Sequence, residues 1–190
     1  MNLLAHCYLS GNSTDLLIGN FIADSIKGKH YDTYNDEIIR GIKLHRMIDE
    51  FTDNHDIVKI SKRRLAPKYG KYAAVIVDIF YDHLLALNWK IYSDIELKKF
   101  AIHVYEVLLV NEKILPEKVQ EFLPYMVEQN WLYNYSTIEG IDKSLKGMAH
   151  RAKFDSHMEI AAVDLKENLK LFGSEFELFF PELIQFVTVL

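Results

Sequence analysis

The sequence predicts an all-α protein, a single domain over residues 1–190 built as a bundle of about eight helices. Three observations predict it. The dominant apolar period along the chain is helical. Only 8 Gly and 4 Pro in 190 residues leave too few tight turns for a many-stranded β fold. No repeat, low-complexity tract or long linker divides the chain. Hydrophobic residues at 49% and charged residues at 26% match an ordinary globular domain, and this length can bury one substantial core.

Residues 12–29 open on Asn12 and Ser13, both good N-caps, and close at Gly28, a favoured residue just past a helix end. A second helix runs from about Asn35 to Asp53, with Ile38, Ile42, His45, Asp49 and Thr52 on one face by the i, i+3/i+4 rule. A shorter helix spans about Asp56 to Lys68, its end marked by Pro67 and Gly70. Residues 71–88 are apolar nearly all round, the signature of a central, buried helix. Further helical segments are expected near 94–111, 117–130, 137–152, 156–172 and 174–188, with Pro116, Gly140, Gly173 and Pro181 at or near their boundaries.

The single cysteine, Cys7, excludes an internal disulfide framework and a Cys-rich zinc module. Asp, Lys, Glu or His interrupts every apolar run before it reaches membrane-spanning length. The opening MNLLAHCYLS has no basic stretch and only a short apolar run, unlike a secretion signal. A formal charge of −5 disfavours nucleic acid. The expectation is a cytoplasmic protein with neither a nucleic-acid nor a membrane partner.

Ionisable residues interrupt the apolar faces in four places. In the central helix, Asp78 and Asp82 are i, i+4 and share a face, and His83 lies about 100° further round. An ionised carboxylate buried without partners costs several kcal/mol at least, so two of them need compensation. A metal ion supplies it; so would an arginine or a set of backbone donors. Three such groups within one apolar helix put the metal reading ahead of a buried ion-pair network. On the second helix His45 and Asp49 are i, i+4 and point inward, equally a ligand pair or a histidine whose tautomer the carboxylate fixes. Asp24 sits in the apolar context Phe21-Ile22-Ala23-Asp24. His6 sits in Leu3-Leu4-Ala5-His6, where a buried histidine bonded to a backbone carbonyl is the plain alternative.

His6, Asp24, His45, Asp49, Asp78, Asp82 and His83 thus form a set of candidate ligands, all His or Asp, from the first half of the chain. Mixed nitrogen and oxygen ligation from facing helices suits Mn²⁺, Fe²⁺ or Mg²⁺ better than structural zinc. It is the donor chemistry of metal-dependent phosphohydrolases, where the ion polarises a phosphoryl oxygen and activates water. His103, His150 and His157 read as ordinary surface or packing residues.

The blocks MNLLAH (1–6), GNFIAD (19–24), GIKLHRMIDEFTD (41–53) and DIFYDHLLALNW (78–89) resemble the acyl carrier protein phosphodiesterases in order and spacing. The resemblance continues more weakly through Trp131 and Gly147-Met148-Ala149. The chain departs from the common pattern at Leu3 and Leu85, where the family has Phe, and at Met47, where it has Arg. The resemblance implies an all-α fold distantly similar to the HD-domain phosphohydrolases and a divalent metal, usually Mn²⁺. It also implies hydrolysis of the phosphodiester joining 4′-phosphopantetheine to a serine of holo acyl carrier protein. Carried over by motif, Asp24, His45, Asp82 and His83 are the first choices for the metal, with Asp24, His45 and Asp82 as catalytic groups. His6, Asp49 and Asp78 are second choices, as further ligands or orienters. Arg46 is either a phosphate clamp or a surface ion pair.

Between Lys59 and Lys71 the chain carries six Lys or Arg (Lys59, Lys62, Arg63, Arg64, Lys68 and Lys71) and no acid. A basic patch suits docking of an acidic carrier protein, although a charge run alone is usually a solvated face. Two other functional classes compete: an HD-like phosphohydrolase acting on a nucleotide or other small phosphoester, and a non-catalytic helical protein whose His/Asp clusters are structural.

Overall fold

A computed structural model of the chain describes residues 1–28, 31 and 33–190. Among these residues the fold is all-α, with no strand. Where about eight helices are expected, there are twelve α-helical segments, two of them, α6 (Trp89–Tyr92) and α9 (Trp131–Asn134), single turns. No helix among the described residues is long and apolar enough to cross a membrane.

The chain opens with a helix absent from the sequence reading, α1 (Leu3–Leu9), capped by the Asn2 side chain, which accepts from the Leu3 N–H. Helix α2 (Thr14–Ile22) begins at Ser13, whose hydroxyl accepts from the Leu16 N–H, as its cap character predicts. It stops short of Gly28 and runs into a single 3-10 turn, Ala23–Ser25. Helix α3 (Asp36–Asn54) starts at Asn35, which caps the Ile38 N–H, and α4 (Asp56–Tyr69) ends at Gly70, whose φ of 54° is left-handed.

Helix α5 (Ala73–Leu87) is the buried centre expected for 71–88. Eleven of its fifteen residues are buried, and it touches α1, α4, α10 (Ile138–Arg151) and α12 (Leu169–Thr188). Between these elements run α7 (Leu97–Val110), α8 (Glu117–Glu128) and α11 (Ala161–Glu167). The expected break at Gly173 lies instead at Asn168, whose amide donates to the Asp164 carbonyl and closes α11. Gly173 and Pro181 both fall inside α12, because one stripe of buried side chains, Phe172, Phe176, Phe179, Phe180 and Leu183, runs past them. Packing of that stripe overrides the two local breakers.

The contact between α2 and α3 positions the site. Gly19 and Gly41 face each other so closely that a Cβ on Gly41 would lie 2.3 Å from the Leu16 carbonyl oxygen and 2.8 Å from Gly19 Cα. A Cβ on Gly19 would lie 2.0 Å from the Ile38 carbonyl oxygen. Only hydrogen fits at both positions, so the two backbones meet directly and the groups just beyond the crossing are brought together.

Candidate active site

Four of the seven candidate residues converge where α1, the end of α2 and α3 meet. His6 lies in the last turn of α1, Asp24 on the 3-10 turn after α2, and His45 and Asp49 one turn apart on α3. The imidazoles of His6 and His45 stack with centroids 3.8 Å apart and planes 14° from parallel. Both Nε2 atoms face the Asp49 carboxylate. His6 Nε2 lies 3.1 Å from Asp49 Oδ1, and His45 Nε2 lies 3.1 Å from Asp49 Oδ2 and 3.3 Å from Asp24 Oδ1. One ligand atom from each of His6, His45 and Asp49 falls within 4.8 Å of the others.

The stacked rings titrate in opposite directions. Burial pushes His6 down to about 4, and the charge on His45 works the same way, so His6 is neutral at neutral pH. Burial also opposes charge on His45, but hydrogen bonds to Asp24 and Asp49 outweigh it and raise His45 to about 9. Asp49 is held well below the usual carboxylate range: its burial is overcome by the hydrogen bond from the charged His45 ring and by the Met1 ammonium. The His45 hydrogen bond lowers Asp24 as well. Asp24 is 82% exposed, so the cluster opens directly on solvent through it.

The other three candidates are engaged differently. Asp82, fully buried, sits at the N-terminus of α1: its Oδ2 accepts from the Leu4 N–H at 2.7 Å and its Oδ1 from Asn2 and Ala5 at 3.3 Å. A helix leaves its first N–H groups unpaired, and its dipole favours negative charge there. Of the compensations weighed from the sequence, backbone donors are the one Asp82 has. Burial pushes its carboxyl up to about 7 against the pull of these donors. His83 is a buried ring at 2.6 Å, through Nδ1, from the Tyr135 carbonyl, with its pKa lowered by burial. The plain reading weighed for His6 thus describes His83. Asp78 lies 3.2 Å from the Met1 ammonium, which is also 3.7 Å from Asp49, so Asp78 borders the cluster through that group.

Among the described residues Arg46 makes no ion pair, and its partners lie on the segment after Asp24. Its guanidinium donates to the Gly28 carbonyl at 2.7 Å and lies 5.5 Å from the Tyr31 ring centroid, tying α3 to the segment after Asp24. Gly28 sits at φ 59°, a left-handed conformation that favours glycine. A groove of about 730 Å³, lined by Met47, Phe51, His55 and Phe186 among others, occupies the opposite face of α3 and includes none of the four clustered residues.

Most of the basic segment is already paired. Lys59 meets Asp56, Lys62 meets Asp53, Arg64 meets Glu175 and Lys68 meets Asp164. Lys71 stands 4.1 Å from the Phe154 ring centroid. Among the described residues, Arg63 and Lys71 are the two of the six without an ion-pair partner.

Residues 1–183 match the family model described as acyl carrier protein phosphodiesterase. The chain belongs to the acyl carrier protein phosphodiesterase family. Curated members include the acyl carrier protein phosphodiesterase of Photorhabdus laumondii, 32% identical over 186 residues and covering 97% of this chain and 94% of the relative. Those of Yersinia enterocolitica and Klebsiella pneumoniae strain 342 are 29% and 30% identical, each covering 97% of this chain and 96% of the relative. No solved structure matches the chain.

In this family member, sequence reasoning missed two groups that hold the cluster together. Asn20 is fully buried, with Oδ1 at 2.8 Å from His6 Nδ1 and 3.1 Å from His45 Nδ1, and its carbonyl oxygen at 2.7 Å from His45 Nδ1. That carbonyl is free to accept because α2 ends at Ile22, leaving its last carbonyls without helical donors. Ser10 accepts from the Asn20 amide at 3.0 Å and donates to the His6 carbonyl at 2.8 Å. One signal was available: Asn20 is the lone polar side chain in the buried run Leu17–Ile22.

Proposed function

We propose that the chain is a metal-dependent hydrolase that cleaves the phosphodiester between 4′-phosphopantetheine and a serine of holo acyl carrier protein. The observation that carries this reading is the convergence of two imidazole Nε2 atoms with the carboxylates of Asp24 and Asp49. The donor set fits a divalent ion: His45 Nε2 lies between two carboxylates that already hold a positive charge on the ring. His6, Asp24, His45 and Asp49 would hold the ion, and Mn²⁺ is the first choice for it. When bound, such an ion polarises a phosphoryl oxygen and lowers the pKa of water.

The residues divide the remaining work. The buried, stacked rings of His6 and His45, with Asp49 beside both, set the position of the reacting phosphate. Asp24, ionised and open to solvent, is placed to orient the attacking water and to take its proton. Because the cluster opens on the surface through Asp24, a phosphodiester presented by another protein can reach it. Of the basic segment, Arg63 and Lys71 retain charge to steer an acidic carrier; Lys59, Lys62, Arg64 and Lys68 spend theirs within the fold.

Incubating the purified protein with Mn²⁺ and holo acyl carrier protein tests the reading by mass spectrometry. Loss of the phosphopantetheine mass from the carrier is the expected result. Hydrolysis of small phosphodiesters with an unchanged carrier would instead make it a small-phosphoester hydrolase.

A further inference from the structure

We propose that Asn20 is the positioning residue that sets the tautomer of His6, forcing its proton onto Nδ1 and leaving Nε2 bare toward Asp49. The amide orientation follows from its surroundings. Asn20 Nδ2 faces the His6 carbonyl at 2.8 Å and Ser10 Oγ at 3.0 Å. A carbonyl can only accept, and the Ser10 hydroxyl proton is already given to that same carbonyl. Both groups therefore require donors, and the Asn20 NH₂ must point at them. Its Oδ1 is consequently the atom that faces the imidazoles, and a ring nitrogen 2.8 Å from it must carry a proton.

The consequence lies at the other end of the ring. Above the ordinary histidine pKa, a His6 with its proton on Nδ1 presents its lone pair at Nε2, 3.1 Å from a carboxylate oxygen of Asp49. Two acceptors at that distance are satisfied by a proton or a metal ion shared between them. Asn20 thus holds His6 in the form that can ligate rather than the form that would simply donate to Asp49.

The two histidines depend on Asn20 unequally. His45 Nδ1 has the Asn20 backbone carbonyl at 2.7 Å, which no substitution removes, whereas His6 Nδ1 has the side chain alone. Replacing the side chain releases His6 and leaves His45 held. The inference rests on the reading of His6 as a metal ligand, and its test separates the two.

Long-range ¹H–¹⁵N correlation on the metal-free protein at about pH 8, well above the ordinary histidine pKa, reports which ring nitrogen is protonated. His6 Nδ1 protonated in wild type, with the proton moved to Nε2 in Asn20→Leu and His45 Nδ1 unchanged, is the expected pattern. Calorimetric titration with Mn²⁺ alone should show a 10- to 100-fold weaker Kd for Asn20→Leu, the usual loss when a ligand's orienting partner is removed. Ser10→Ala, which loosens the amide without removing it, should give a smaller loss in the same direction. A bare His6 Nδ1 in wild type overturns the proposal, whether or not Asn20→Leu folds. So does an Asn20→Leu protein that keeps both the Nδ1 proton and the wild-type Kd. A wild-type protein with His6 Nδ1 protonated but no Mn²⁺ binding would sink the metal reading and leave the role of Asn20 standing.

Discussion

Replacing Asp82 with alanine tests whether its carboxylate caps a helix or holds the metal. Its two oxygens accept from the N–H groups of Asn2, Leu4 and Ala5, and the Leu4 and Ala5 bonds are buried. Alanine leaves these donors without partners inside the fold. An unsatisfied buried donor costs about 1–3 kcal/mol, and loss of a helix cap about 0.5–2 kcal/mol. Two buried donors and one half-buried one sum to about 3–5 kcal/mol. For a domain of this size each kcal/mol shifts Tm by about 2–4 °C, so Asp82→Ala should melt roughly 6–20 °C below wild type. The control is Asp24→Ala: that carboxylate is 82% exposed, and its loss should leave Tm within about 2 °C while abolishing Mn²⁺-dependent hydrolysis. Circular dichroism melts of the metal-free proteins measure both. If Asp82→Ala melts with wild type and still fails to bind Mn²⁺, Asp82 is a ligand and the capping argument is wrong.

Further outcomes follow from the same geometry. With His45 raised from 6.5 to about 9, the folded metal-free protein holds a proton that the unfolded chain releases. Its contribution to stability is complete below about pH 6.5 and is lost as pH rises through about 9, which urea melts at stepped pH will show as a falling midpoint. Mn²⁺ competes with that proton, so its affinity, followed by calorimetry, should increase over the same interval. Gly41→Ala places a methyl 2.3 Å from the Leu16 carbonyl oxygen and should cost about 1–3 kcal/mol or more, together with weaker Mn²⁺ binding as Asn20 withdraws from His45. Charge reversal at Arg63 and Lys71 should raise KM for the carrier protein and leave a small phosphodiester unaffected, with the difference shrinking at high salt. Equal losses on both substrates would remove the docking role.

The pattern of the chain exposed most of the fold because helices with strong apolar stripes announce themselves. The all-round apolar 71–88 segment is the buried α5, and the caps at Ser13 and Asn35 start α2 and α3. What stayed hidden depends on contacts remote in sequence. Helix α1 has only seven residues, too few for a legible period, and its ordering comes from Asp82, about 80 residues away. The fusion of 169–188 into one helix past Gly173 and Pro181 is likewise a packing outcome. In the site, the i, i+4 pair His45 and Asp49 could be read from spacing. Asp78 and Asp82 have the same spacing, and no sequence rule tells which pair faces imidazoles and which faces a helix N-terminus.

These two kinds of carboxylate are joined through α1. An isolated helix of seven residues is unstable in water, because forming its first turn costs more than its few hydrogen bonds return. Here Asp82 satisfies the N-terminal donors of α1, and the last turn of the same helix presents His6 to Asp49 and Asn20. The helix is short enough that fixing one end fixes the other. On this reading Asp82 acts on His6 without touching it, through the helix that joins them. The prediction for Asp82→Ala has a second part for this reason. Loosening α1 frees His6 but not His45, which α3 carries and the Asn20 carbonyl holds. Metal affinity in that variant should fall together with Tm and through His6 alone, so combining Asp82→Ala with His6→Ala should lower Mn²⁺ affinity no further than His6→Ala does. Additive losses would place Asp82 on the metal directly.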